Sequence, residues 1–205
     1  LRHFLKQQRE QHPEYWNLPV PNWPIAPTDA RLLIVGLAPG LHGANRTGIP
    51  FTGDASGDLL FKTLTSCGLA PQQYPTCITN AVKCVPPGNK PNATEMNRCR
   101  RFLRTELSDF VDKNEPKVVL CLGRIAHEAV LKSLEIPLAS KAFHHGAEYD
   151  LPGNFILVDS FHCSRYNINT GRLSEAMFLK VINRIAVLLD GIRYNDTTGV
   201  NKPLQ

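Results

Sequence analysis

The residues best placed to do chemistry begin where the apolar run Leu32 to Val35 stops. There the chain enters Gly36-Leu37-Ala38-Pro39-Gly40-Leu41-His42-Gly43-Ala44-Asn45-Arg46-Thr47-Gly48-Ile49-Pro50-Phe51-Thr52-Gly53-Asp54, with five glycines, two prolines, one aromatic ring and one acid. Such a loop offers backbone N–H groups and a few polar tips to a flat, polar ligand, which makes it a binding floor. Gly36 to Gly40 could cradle a phosphate or the carbonyls of a base. No Gly-Lys-Ser/Thr follows, so it is not an NTPase phosphate loop, and the dinucleotide spacing G-x-G-x-x-G is missing.

Four side chains carry candidate chemistry. Phe51 could stack on a planar heterocycle or belong to the core. Asn80, after Cys77-Ile78-Thr79, carries the donor and acceptor needed to read an imide edge, though Asn at a strand end also forms turns. Asp54 precedes Ala55-Ser56-Gly57 and a helical pattern: it is either an N-terminal cap or a carboxylate that polarises water and faces a cationic sugar. His162, beyond the apolar run Phe155 to Val158, is a candidate donor to developing negative charge. His42 is a lesser candidate.

Six cysteines, at 67, 77, 84, 99, 121 and 163, are too sparse for a secreted disulfide scaffold, and no signal peptide precedes them, so a reducing cytosol is expected. Cys67, Cys77 and Cys121 sit in apolar patterns. Two thiolates, Cys84 and Cys99, cannot complete a metal site alone, so the chain by itself favours buried free thiols.

The elements that must position these residues follow from periodicity. Residues 1–13 suit a short helix, and prolines 19, 21, 24 and 27 then make an extended wrap anchored by Trp16 and Trp23. From Arg31, strands (32–35, 77–85, 118–122, 155–158) alternate with helices (57–67, 94–112, 124–133, 174–189). Met96, Cys99, Phe102, Leu103, Leu107 and Phe110, and later Phe178, Val181, Ile182 and Ile185, recur at steps of three and four. The alternation predicts one three-layer α/β/α domain over residues 1–205, with a mainly parallel central sheet of about four strands. Ligands in such sheets lie beyond the carboxyl ends of the strands, where three polar segments, 36–54, 80–91 and 162–172, would converge. Residues 191–205 show no periodicity.

The net charge of +5 and a pI near 8.9 permit a nucleic-acid partner without requiring one. The apolar runs are too short to cross a bilayer, so no membrane partner is expected. Arg98, Arg100, Arg101 and Arg104 read as a solvated helix face.

Three segments taken together resemble a known family: 36–57, Ile78-Thr79-Asn80-Ala81-Val82-Lys83-Cys84-Val85-Pro86-Pro87-Gly88-Asn89-Lys90-Pro91, and His162-Cys163-Ser164-Arg165 through Asn169-Thr170-Gly171-Arg172-Leu173. Over about residues 30–190 the chain resembles the uracil-DNA glycosylase superfamily, in its family 5 (type B) branch, which carries a [4Fe-4S] cluster. The resemblance implies excision of uracil, and of other damaged bases such as hypoxanthine, from DNA, acting as a monomer. It implies that Gly36, Leu37, Ala38, Pro39, Gly40 and His42 form the base pocket and water site, that Phe51 stacks on the base and that Asn80 reads its edge. His162 would stabilise the departing anion and Asp54 would face the sugar. Asn45, Arg46, Ser164 and Arg165 would touch DNA, with Lys90 and Arg172 near flanking phosphates. Cys84 and Cys99 match two of four cluster ligands, which puts the other two upstream of Leu1. Leu37 and Ala38 stand where related branches have a carboxylate, a departure this branch shares, and Cys163 stands where proline is commoner. The competing readings are a binding-only module for damaged bases, since it too would lack that carboxylate, and an iron–sulfur electron carrier.

Overall fold

The computed structural model describes residues 1–24, 26–111 and 117–197, with side chains described up to 190. Five strands form one sheet: β1 (Leu32–Gly36), β2 (Thr76–Asn80), β3 (Lys117–Leu122), β4 (Glu148–Leu151) and β5 (Phe155–Ser160), in the order β2-β1-β3-β5-β4. The first four in that order are parallel; β4 pairs antiparallel with β5 at the edge. The sheet thus has one strand more than expected. β4 lacks an apolar run because three of its four residues reach solvent, so hydrophobicity does not betray it.

Helices cover both faces, because the strand residues alternate. Leu32, Ile34, Ile78, Leu120 and Val158 pack against α3 (Ala55–Ser66) and α7 (Glu175–Thr197). Leu33, Val35, Cys77, Val119 and Leu157 pack against α4 (Ala93–Phe110) and α5 (Arg124–Ser133). The helix α4 opens with a capping box, in which Asn92 and Glu95 each accept the other's backbone amide. The α7 helix continues to Thr197, so residues 191–197 of the expected tail are helical and the remainder lies outside the described residues. At the start, α1 (Arg2–Gln11) leads into the proline-rich wrap, and the short α2 (Ala44–Thr47) lies in the loop after β1. There Trp23 exchanges backbone hydrogen bonds with Ile78, whereas Trp16 keeps an exposed ring.

The chain leaves β1 for β2 on one side and returns to β3 on the other. This reversal opens a crevice at the carboxyl ends of β1 and β3, the place such sheets reserve for ligands.

Candidate active site

The strands β1 and β2 end side by side at the crevice. Gly36 closes β1 opposite Asn80, which closes β2. A Cβ on Gly36 would collide with Asn80 Oδ1 and stand 2.6 Å from the Phe51 ring. Only glycine lets the amide and the ring approach the same point. β2 stops at Asn80, five residues earlier than its apolar pattern predicts, because the Ala81 and Val82 amides turn to donate to the Gly36 and Leu37 carbonyls. Val85 stays buried without being in a strand.

Phe51, Asn80, Asp54 and His162 line one narrow cleft with Leu37, Ala38 and Gly40; Ala44, Ser56 and Asn89 complete its walls. The cleft has about 60 Å³ of room for the centre of a water-sized sphere, a slot for a thin ring. The Phe51 and His162 rings lie 5.9 Å apart and 25° from parallel. Phe51 holds a left-handed backbone, φ 55°, which a bulky residue adopts only when its surroundings impose it.

Asp54 is the N-terminal cap that the sequence allowed, and it also lines the cleft. Its Oδ1 caps α3 by accepting from the Ser56 and Gly57 amides, each at 3.0 Å. Its Oδ2 lies over Gly40 and Gly43 and takes no hydrogen bond among the described residues. His162 Nδ1 is buried and likewise has no partner among them. Burial depresses the His162 pKa below its ordinary 6.5, with Asp54 pulling the other way, so the ring is neutral at pH 7. Cys163 fastens this third loop to the first: it is buried, its thiol donates to the Ser56 carbonyl at 3.4 Å, and burial pushes its pKa up to about 12.

Behind Asn80 lies a buried ion pair. Lys83 Nζ donates to both Glu106 carboxylate oxygens at 2.8 and 2.7 Å, to Thr79 Oγ1 at 2.6 Å and to the Asn80 carbonyl at 2.9 Å. Desolvation lowers the Lys83 pKa and Glu106 opposes it. The ammonium therefore pins the backbone that presents the Asn80 amide.

Not every expected residue reaches the cleft. Pro39 and His42 are not among its lining; His42 is exposed, with Nδ1 3.0 Å from the Tyr15 hydroxyl and its ring edge-on to His12. Asn45 was expected to touch DNA, but it is buried and donates to Asn17 Oδ1 at 2.9 Å, since a buried amide must find a partner. Arg46 is exposed and reaches the Gly53 carbonyl at 3.4 Å. Ser164 caps α6 (Arg165–Asn169) by accepting from the Asn167 amide, and Arg165 is exposed. On the same turn Tyr166 is 72% exposed, the most exposed large apolar side chain described. Asn89, not singled out from sequence, enters the cleft from the Pro-Pro-Gly-Asn turn, where Gly88 and Asn89 both have positive φ.

Cys84 and Cys99 are both half-buried. Burial raises the Cys84 pKa, the neighbouring charge of Cys99 adds to it, and Arg9 of α1 opposes both. Two thiols close enough to feel each other fit half of a cluster's ligand set. Among the described residues no third His, Cys, Asp or Glu joins them to form a metal group.

The uracil DNA glycosylase superfamily model matches residues 24–186. A type-5 uracil-DNA glycosylase of Thermus thermophilus is 44% identical over 178 residues, covering 82% of this chain and 79% of its own. One from Pyrobaculum aerophilum is 42% identical over 183 residues, covering 84% and 77%. A type-4 uracil-DNA glycosylase of Archaeoglobus fulgidus is 32% identical over 123 residues, covering 60% and 58%.

Proposed function

The chain belongs to the uracil DNA glycosylase superfamily, and on that premise we propose that it hydrolyses the bond between uracil and deoxyribose in DNA, leaving an abasic site. One observation carries the reading: a ring, an amide, a carboxylate oxygen and an imidazole, supplied by three separate loops, line a single slot.

A base stacked in a duplex is out of reach, so the nucleotide must swing out. The base then lies against Phe51 and presents its imide edge to the donor and acceptor of Asn80. As the glycosidic bond lengthens, negative charge gathers on the base and positive charge on the sugar. Neutral His162 donates a hydrogen bond to the departing anion. The second oxygen of Asp54 faces the sugar and the water whose oxygen bonds to C1′; the water's proton passes to solvent or to the carboxylate. Arg46, Lys90 and Arg165 hold backbone phosphates, and Tyr166 is the exposed ring available to fill the space the nucleotide leaves.

The cofactor we propose is a [4Fe-4S] cluster held by Cys84, Cys99 and two thiolates outside this sequence, supplying a rigid brace beside the Asn80 turn. Iron analysis of anaerobically purified full-length protein tests it: about four irons per chain support it, and iron-free, colourless protein refutes it.

The activity is tested with duplexes carrying one uracil, hypoxanthine or hydroxymethyluracil. Free base and an alkali-labile site, formed over many turnovers, are expected for uracil. Stoichiometric binding without release would instead identify a damaged-base binding module.

A further inference from the structure

On the far side of His162 the base slot adjoins a second, roomier cleft, of about 280 Å³ against about 60 Å³ on the same measure. Leu37, Asn89 and His162 line both. Nothing in the chemistry of base removal occupies it. Its outer walls are the first turn of α5 and the segment around Phe161.

Two guanidiniums enter this cleft, each laid on a ring. Arg124 lies over Phe143, 5.4 Å from the ring centre, and Arg172 lies over Phe161 at 4.7 Å. The two rings are 6.0 Å apart, and Phe161 is stacked on His145 at 5.0 Å and donates its amide to His145 Nδ1. A guanidinium held flat on an aromatic keeps its N–H edge outward and loses little freedom on forming a two-pronged bond to an anion. No acid lines the cleft, and among the described residues neither arginine pairs with a carboxylate. Two like charges sharing one cleft without a counter-charge repel unless an anion lies between them. The α5 N-terminus adds to the same wall, with no side-chain cap and no acid in its first turn.

We propose that this second cleft is a phosphodiester subsite, in which Arg124 and Arg172 clamp one phosphate of the substrate strand next to the swung-out nucleotide. The identity of the anion rests on the glycosylase reading, since the strand whose base fills the slot must pass His162 to reach its neighbour. The clamp holds the backbone at a fixed register while the base is out of the stack. Its occupant is recognised by charge and shape alone, so it is indifferent to sequence.

A binding cycle tests this, using wild type and the Arg124→Gln/Arg172→Gln double variant. The probes are duplexes with a non-cleavable 2′-fluoro uridine in which each flanking phosphate in turn is a neutral methylphosphonate. At one position neutralisation should weaken the wild type about tenfold and the double variant less than about twofold, because the lost partner is already absent. The slope of log affinity against log salt should also fall by about one in the variant. Equal losses in both proteins at every position would overturn the subsite. Both arginines are exposed, and melting temperatures check the fold; should the double variant be unfolded, R172Q alone reads the same coupling. Uracil release by wild type with no coupling sinks the clamp alone. Coupling at one phosphate with no release from any DNA sinks the glycosylase reading and leaves the clamp.

Discussion

The carbonyl of Phe51 rests on the α-carbon of Gly57, so closely that a Cβ on Gly57 would overlap it. The stacking ring is therefore set by a residue of α3 that has no side chain. Gly57→Ala cannot be absorbed by rotating a side chain, because the obstacle is backbone. We expect it to cost about 1–3 kcal/mol of stability, the range for forced overpacking. We also expect uracil release to fall by well over tenfold at temperatures where the variant is fully folded. Melting curves together with single-turnover base release check this; a folded variant with the wild-type rate would show that Phe51 need not be held.

Asp54 caps α3 with one oxygen and is proposed to face the sugar with the other, and Asn separates the two roles. Asn caps a helix about as well as Asp, whereas Ala at a cap costs about 1 kcal/mol. Asp54→Asn should thus melt close to wild type yet lose about 100-fold in rate, the order expected when about 3 kcal/mol of charge stabilisation goes. Asp54→Ala should lose both. A D54N rate within a few-fold of wild type would leave Asp54 as a cap only.

His162 should matter for the chemical step and little for duplex binding. His162→Ala is expected to slow release about 100-fold while the dissociation constant for duplex changes less than about threefold. Because burial holds the folded pKa below 6.5, the ring stays neutral as pH falls through 6.5. The rate should show no inflection there; a limb centred at or above 6.5 that vanishes in H162Q would contradict a neutral donor.

The three layers, the parallel order and both amphipathic helices, α4 and α7, were legible because burial imposes a period on apolar residues. What escaped was fixed by hydrogen bonds or by partners distant in sequence. β4 pairs through its backbone while three of its four side chains reach solvent, and β2 ends at Asn80, where the next two amides turn to the Gly36 and Leu37 carbonyls. Asn45 looked like a loop tip until Asn17, 28 residues earlier, took its amide. The four central site residues, Phe51, Asn80, Asp54 and His162, could be picked out because each lies in one of the three polar segments at the carboxyl ends of strands. Arg124 could not, since an arginine at the start of α5 has no pattern that distinguishes it from a solvated one; only its ring partner Phe143, 19 positions away, does.

The Lys83–Glu106 pair gives a prediction about positioning. Removing one partner of a buried pair strands the other, at about 3–5 kcal/mol, while removing both is far milder. Lys83→Met should be severely destabilised in urea, and Lys83→Met/Glu106→Leu should recover most of the loss. If the ammonium also fixes the Asn80 carbonyl, the recovered double variant will still release uracil slowly, with KM for duplex little changed. A fully active double variant would limit the pair to stability.

The last prediction concerns His127 and Asp159, both buried, with the His127 ring edge-on to Phe143 of the second cleft. His127 Nδ1 lies 2.9 Å from the Asp159 carboxylate, and Nε2 lies 3.0 Å from the Lys141 carbonyl. A carbonyl can only accept, so Nε2 carries a proton, and a second proton sits between Nδ1 and the carboxylate. The His127 pKa is raised: burial works against the charge, but the hydrogen bond and the charge of Asp159 outweigh it. Asp159 is raised too, by burial first. Both partners bind protons more tightly folded than unfolded, so the linkage has one sign. The stabilisation is complete for His127 below its unfolded value of 6.5 and drains away as pH rises through the raised folded value. His145 and His162 have depressed pKa values and act in the opposite sense, so the comparison must be a difference. Wild type minus His127→Gln, from urea melts between pH 6 and pH 9, should be largest at pH 6 and narrow steadily. A gap that stays constant or widens would mean that the shared proton is held no more tightly in the fold than in the open chain.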